Sequence, residues 1–445
     1  MAAGVVENST GEFCVNSSLE SFPRSLWWGE SKEPACNLPP VEGDLDVDVA
    51  IVGGGITGIS SALHLAEAGL SVAVLEARHI GFGASGRNGG QVIPGLKYDP
   101  SDLVAKYGPE KGQRLIELAG GAADYVFELI ERHGIRCNPV RAGWIQAAHS
   151  PIALEAVLRR AGEWRKQGVE VEVLDRDGIA TSTGTTRYFG GWRDPRAGAI
   201  QPLDYLRGLT RAAIKAGARV FEKSRVTSLT KRDSGWQLGT AAGKLRARKV
   251  IVATNGYTGD LVPKLAQTVL PVQSMQLATE PLPADLARRV MPGGVVLSET
   301  RKLAFYMRQT PEGGFMIGGR GAVGNGEDPS LMAALERGML RLFPDLERVK
   351  IVHRWSGHVA LSMDGLPHLH EPEPNLYCML AYNGRGIALA TTFGRMMAEE
   401  IARSIPAIYP RSSIKPIPWH PIRRPVMGLG IRWYWLKDSL GLASK

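Results

Sequence analysis

The sequence predicts an α/β fold in which a parallel-sheet domain is interleaved with a second, α+β domain, and three observations carry that expectation. Residues 48–76 read as one strand, glycine turn, helix and strand. Short apolar runs return at 218–224, 249–253 and 376–381, each the length of a buried parallel strand. Between them the character changes, to helical periodicity at 111–133 and 152–167 and to a strand-rich stretch over 268–319.

Residues 1–44 read as an irregular lead-in, because Pro23, Pro34, Pro39 and Pro40 interrupt any regular element. The run 48–52 is the first buried strand. A helix rich in Ala and Leu follows over 59–68, with Gly69 as its C-terminal stop. Residues 70–75 form the second strand, closed by Glu76. Strands at 142–147 and 169–174 accompany the two later helices, and 202–217 reads as a further helix. The strand 376–381 passes through Asn383, Gly384, Arg385 and Gly386 into a helix over 388–401. The expected division assigns 45–95, 200–262 and 355–405 to the first domain and 96–199 and 263–354 to the second. Residues 406–445 are left as a C-terminal tail.

Composition limits the function classes. The chain has 445 residues, 44% hydrophobic and 22% charged, enough to bury a sizeable core. Cys14, Cys36, Cys137 and Cys378 are scattered, which argues against a disulfide framework or a structural metal and fits a reducing, cytoplasmic setting. The net charge of +9 could serve nucleic acid or a membrane surface. Its basic residues are dispersed, however, and no nucleic-acid-binding module accompanies them, so no nucleic-acid partner is expected. No apolar run reaches the roughly 18 residues of a transmembrane span, and the N-terminal stretch lacks signal-peptide architecture. Trp419, Trp433, Tyr434 and Trp435 make the tail aromatic. It is read as packing against the body or a partner in preference to an interfacial anchor. The oligomeric state is not legible.

Gly53, Gly55 and Gly58 sit where a dinucleotide site needs them: after a strand, opening a helix, with an acidic residue ending the next strand. Gly53 permits the tight turn, Gly55 lets a pyrophosphate approach the backbone, and Gly58 lets helix pack on strand. The helix N-terminus offers its amides to phosphate, and Glu76 can accept from an adenosine ribose. A second loop, 81–91, holds five glycines (Gly81, Gly83, Gly86, Gly89 and Gly90) directly after that ribose position. A third cluster, residues 383–386, again lies between strand and helix. Two further glycine-rich turns suit an extended dinucleotide with a large tricyclic head, so FAD is favoured over NAD. The first domain is thus read as a Rossmann-like FAD-binding domain and the second as a substrate domain.

These segments resemble the D-amino-acid oxidase/glycine oxidase/sarcosine oxidase superfamily of flavoenzymes, most nearly the gamma-glutamylputrescine oxidases. The resemblance spans about 22–440 and rests on the strings SLWW at 25–28, AIVGGGITGI at 50–59 and HIGFGASGRNGGQ at 79–91. It continues through ATNGY at 253–257, WSG at 355–357, DGLP at 364–367 and NGRG at 383–386. It implies oxidation of an amine C–N bond to an imine by hydride transfer to FAD, with oxygen as acceptor giving hydrogen peroxide. By the same resemblance, Gly53, Gly55, Ile56, Thr57, Gly58, Glu76 and Ala77 hold the ADP half. Ser85, Gly86, Arg87, Asn88, Gly89 and Gly90 lie near the pyrophosphate and isoalloxazine. Val226 contacts adenine, and Gly384, Arg385, Gly386 and Ile387 meet the pyrimidine end of the flavin.

Two departures narrow the substrate. Where D-amino-acid and glycine oxidases carry an arginine that clamps the substrate carboxylate, Val359 stands after His358. No cysteine occurs in 355–367, the stretch in which monomeric sarcosine oxidases attach their flavin, so noncovalent FAD is expected. Flavin amine oxidation needs no nucleophile or metal, and none is expected; the histidines at 353, 358, 368 and 370 show no metal spacing. Tyr306 and Arg308 share one face of a strand, the first as an aromatic wall and the second as partner for a distal carboxylate. The competing functions are oxidation of a cyclic or N-methylated amino acid (pipecolate, sarcosine), NAD-dependent dehydrogenation, and a noncatalytic flavin-binding or RNA-modification accessory role.

Overall fold

The computed structural model describes residues 25–321 and 329–439. Two eight-stranded sheets organise it. The first runs in the order His368–Glu373, Leu376–Leu380, Gly243–Val252, Gly43–Val52, Val72–Leu75, Arg219–Phe221. All its neighbours from Leu376–Leu380 onward are parallel. The hairpin Ser228–Arg232 and Gly235–Gly239 lies antiparallel on the front half of Gly243–Val252. Successive side chains of a strand point to opposite faces, and the two faces of this sheet feed different cores. Val49, Ile51, Val72 and Val74 join the helical side. Ala50, Val52, Ala73 and Leu75 join Trp236 and Leu238 of the hairpin. Both faces are covered, which is why these strands read as unbroken apolar runs.

The helices Ile56–Glu67, Pro202–Lys215 and Gly386–Arg403 contribute to the first of those cores. Ile56–Glu67 and Gly386–Arg403 cross closely. A Cβ on Gly394 would lie 2.6 Å from the Ser60 Cβ, and the Ser60 hydroxyl donates to the Thr391 carbonyl at 2.7 Å.

The second sheet runs Ile351–Leu361, Leu270–Pro281, Gly314–Arg320, Tyr306–Gln309, Val296–Glu299, Trp144–Ala147, Gly191–Asp194, Glu172–Leu174. Only the pair Val296–Glu299 and Trp144–Ala147 is parallel. Helix Pro329–Leu342 sets Met332, Leu335 and Met339 against Leu277, Phe315 and Ile317. Strand Ile351–Leu361 pairs along its length with Leu270–Pro281, so it runs across the boundary expected at 354/355.

Three local readings need correction. The helix expected over 111–133 is two helices, Pro109–Gly120 and Ala122–His133, meeting at Gly121. The lead-in is not wholly irregular: Leu26–Gly29 is a helical turn with Trp27 fully buried, and the first strand already starts at Gly43. The tail forms a helix, Arg423–Ser439, on which Leu429 and Trp433 are exposed. Cys14 and the rest of 1–24 lie outside the described residues. No helix among the described residues is long and apolar enough to cross a membrane.

Candidate cofactor and substrate site

The turn between the first strand and its helix has the geometry a pyrophosphate requires. Gly53 adopts φ +107°, a conformation side-chain-bearing residues rarely take. A Cβ on Gly58 would stand 2.0 Å from the Gly53 carbonyl oxygen, so only glycine lets the helix start so close to the turn. No side chain caps the helix at Gly55, and the Ile56 amide alone donates to a side chain, the Ser85 hydroxyl, at 3.1 Å. The remaining first-turn amides belong to the N–H groups that a helix leaves without an intrahelical acceptor, which suits an anion. The Thr57 hydroxyl is buried against that of Tyr382 at 2.8 Å, which leaves its backbone amide to face a ligand.

Glu76 ends the second strand beside this turn. One carboxylate oxygen accepts from the Gly54 amide at 2.9 Å and the other from Arg78 at 2.8 Å. These bonds fix its orientation and leave lone pairs free for ribose hydroxyls. Burial raises its pKa, against the pull of both amides. Ala77 and Val226 are half-buried nearby in the chain's path, and the Ser224 amide donates to the Glu76 carbonyl at 2.8 Å.

The second loop is held in place by its own polar groups and by segments distant in sequence. Asn88 donates to the Ala84 and Ser85 carbonyls and accepts from the Gly90 amide. Arg87 donates to the carbonyls of Phe82 and Ser356, so its guanidinium ties the loop to the second sheet. The Ser25 hydroxyl donates to the Gly86 carbonyl at 2.8 Å, and the Trp27 indole to that of Asn88 at 2.8 Å. The Trp355 indole donates to the Arg87 carbonyl at 2.9 Å. The anchoring roles of Ser25, Trp27 and Trp355 were not read from the sequence, although the SLWW and WSG strings contain all three.

Gly89 and Gly90 meet the two second-sheet residues singled out above. A Cβ on Gly89 would lie 2.8 Å from the Tyr306 ring, and one on Gly90 would lie 2.4 Å from the Arg308 guanidinium. The Tyr306 hydroxyl meets that of Ser274 at 2.8 Å and its ring covers Gly318. Arg308 has contacts that strand alternation did not predict. It is 3% exposed and donates to the carbonyls of Gly90, Ile200 and Gln309. Through Nε and Nη1 the guanidinium straps the loop to the sheet.

The third turn completes the arrangement. Asn383 accepts from the Ser362 amide at 3.0 Å and donates to the Ala381 carbonyl at 2.6 Å, holding the turn rigid. The space around Gly384 and Gly386 is open. Arg385 reaches away to the Pro94 carbonyl, 2.6 Å, and ties this turn to the chain leaving the second loop. Ile387 is core, so only its backbone is available to a ligand. An uncapped helix start, a carboxylate at the strand end, a side-chain-poor loop and a second open glycine turn fit the diphosphate, ribose and ring system of FAD.

The comparisons with known proteins decide the family. The family model described as DAO, FAD dependent oxidoreductase, matches residues 48–400. The chain belongs to this family. It is an FAD-dependent oxidoreductase acting on amine substrates. It is 34% identical over 424 residues to gamma-glutamylputrescine oxidoreductase of Escherichia coli (strain K12), covering 94% of this chain and 99% of that protein. It is 30% identical over 394 residues to the probable oxidoreductase OrdL of Haemophilus influenzae, covering 87% of this chain and 90% of the relative. Among solved structures, glycine oxidase from Geobacillus kaustophilus superimposes with a TM-score of 0.68 at 25% identity, over 81% of this chain and 95% of that one. The FAD expected from the glycine turns is therefore the family's cofactor.

Proposed function

We propose that this enzyme oxidises the C–N bond of an amine whose carboxylate lies away from the reacting carbon, with gamma-glutamylputrescine as the type of substrate and oxygen as acceptor. The observation that carries the reading is Val359. It pairs with Val272 in the sheet ladder, and by the resemblance it stands where D-amino-acid and glycine oxidases carry their arginine. A simple α-amino acid gains no charge-assisted fork there. The relative named for gamma-glutamylputrescine, aligned over nearly its whole length, supports the same choice.

FAD, when bound, supplies the hydride acceptor. The chain supplies position and a dry, neutral setting. Tyr306 offers a hydroxyl that burial pushes well above its ordinary pKa, so it stays protonated and serves as a hydrogen-bonding wall, not a base. Beside it, the Gln276 side chain is 1% exposed and its Oε1 has no hydrogen-bond partner among the described residues. A buried acceptor left open in this way fits an amine N–H. Arg308, Trp27 and Trp355 act on the loop that carries Gly89 and Gly90.

A peroxide-release panel tests the proposal. Gamma-glutamylputrescine is expected to give the highest kcat/KM, with glycine, D-alanine, sarcosine and pipecolate at least tenfold lower, the difference of about 1.4 kcal/mol that one charged contact supplies. Equal or faster turnover of any of those amino acids overturns it. Flavin reduction without peroxide would reassign the acceptor alone.

A further inference from the structure

The chain that follows the helix Gly386–Arg403 leads to the helix Arg423–Ser439, whose foot is pinned to the body. Ile417 is buried and its amide donates to the Gln267 carbonyl at 2.9 Å. Beyond that foot, none of the described side chains of the helix joins a hydrophobic core. From the turn His420–Ile422 into the helix, Ile422, Val426, Leu429 and Trp433 recur at steps of four, three and four residues, so they lie on one face. All four are exposed, Leu429 at 67% and Trp433 at 56%. Met427, Ile431 and Tyr434, toward the opposite side, are half-buried. Exposed apolar residues scattered singly are ordinary, but four in register on one helix form a surface that calls for a cover.

The charge of the segment indicates what covers it. Residues 401–437 carry seven arginines and lysines and no aspartate or glutamate. Most of the chain's net charge of +9 is therefore concentrated in this stretch, which the reading of dispersed basic residues overlooked. Arg411 is committed to Glu371 and Glu400. Arg424 and Lys437 have no carboxylate partner among the described residues, and the Lys437 ammonium lies over the Trp433 ring, 5.5 Å from its centroid. An ammonium at the rim of an exposed indole, beside aliphatic side chains, matches the layers of a bilayer surface: acyl chain, boundary and phosphate. A nucleic acid would meet the charge and leave the stripe in water. A second copy of this chain would cover the stripe but set the same cations against one another.

We propose that the helix Arg423–Ser439 seats the enzyme on an anionic phospholipid surface. Ile422, Val426, Leu429 and Trp433 enter the boundary between headgroups and acyl chains, and the positive charge of 401–437 draws the segment to the lipid phosphates. The helix lies along the surface and does not cross it, since no helix among the described residues is long and apolar enough to do so.

The test uses the FAD-loaded full chain, sedimented with vesicles of phosphatidylcholine alone or of phosphatidylcholine mixed with phosphatidylglycerol. The wild type should sediment with the mixed vesicles and stay in the supernatant with phosphatidylcholine alone, and added salt should release it. Leu429→Ser combined with Trp433→Ser should lower the partition coefficient roughly tenfold or more, because two apolar side chains no longer gain burial. Arg424→Glu combined with Lys437→Glu should lower it by a similar factor. Both variants should keep the wild-type FAD content, Tm and turnover in solution, since these positions lie outside the cofactor and substrate site. Failure of the wild type to bind the mixed vesicles, equal binding to both kinds of vesicle, or undiminished binding by the serine variant overturns the proposal. So does a dimer in sedimentation velocity that the serine variant converts to monomer while the wild type binds no vesicle, which would make the stripe a contact between copies.

Discussion

Gly55 and Gly58 separate cofactor binding from folding at the scale of single residues. Gly55 has extended backbone that any residue adopts, and a Cβ there meets only the Ser85 hydroxyl, at 3.0 Å. Gly55→Val should therefore leave the apoprotein folded while FAD occupancy falls to a trace, because its methyls fill the approach to the amides. Gly58→Ala meets the Gly53 carbonyl itself and should cost about 3 kcal/mol or more, seen as a loss of soluble protein or a large fall in Tm. A Gly55→Val protein with full flavin occupancy would contradict the site. Glu30 gives a second residue-scale expectation. Burial first, then repulsion from Glu312, pushes its carboxyl up to about 7, and one of its oxygens is buried without a hydrogen-bond partner among the described residues. A carboxyl with a raised folded pKa binds its proton more tightly in the folded chain. Its contribution to stability is full below its ordinary value of about 4.3 and is lost as pH rises through about 7. Glu30→Gln should then raise Tm relative to wild type at about pH 8 and not at about pH 4, as thermal melts across that range will show.

Among the elements, the segment Ser25–Trp28 matters more than its length suggests. Trp27 is fully buried in a small cluster with Leu203, Ala278, Met316 and Trp355, and its indole holds the Asn88 carbonyl of the flavin loop. Trp27→Phe keeps the ring and removes that bond. It should weaken FAD binding by about fivefold, equivalent to roughly 1 kcal/mol, in a titration of the apoprotein; no change would assign the residue to packing alone. This segment also shows where the sequence stops being legible. The glycines at 53, 55 and 58 could be read because turn, phosphate approach and helix packing are local demands on backbone. The strand at 249–253 could be read because both faces are buried. The bond from Trp27 to Asn88 joins positions far apart in the chain, and nothing local announces it. The break at Gly121 was missed because glycine inside an apolar period does not by itself end a helix. The loop contacts of Arg308 were illegible for a related reason: strand alternation placed it on the face of Tyr306 but could not show that Gly90 and Ile200 present carbonyls to it.

For the whole molecule, two sheets of different character meet across the loop that carries Gly89 and Gly90. The parallel sheet supplies the glycine turns and Glu76; the mixed sheet supplies Tyr306, Gln276 and the strand bearing Val359. The loop between them is tied to the mixed sheet by Arg87, Arg308 and Trp355 and to the first glycine turn by the Ser85 hydroxyl, so the glycine turns and Tyr306 are joined through one loop. No cysteine lies in 355–367, and acid denaturation should accordingly release FAD into the supernatant. The most direct measurement of the central claim needs no electron acceptor: anaerobic mixing of the purified yellow enzyme with gamma-glutamylputrescine and, separately, with glycine, following flavin absorbance. Rapid bleaching by gamma-glutamylputrescine with slow or absent bleaching by glycine is the predicted result. Bleaching by glycine at an equal or greater rate, or none by any carboxylate-bearing amine, would contradict the account.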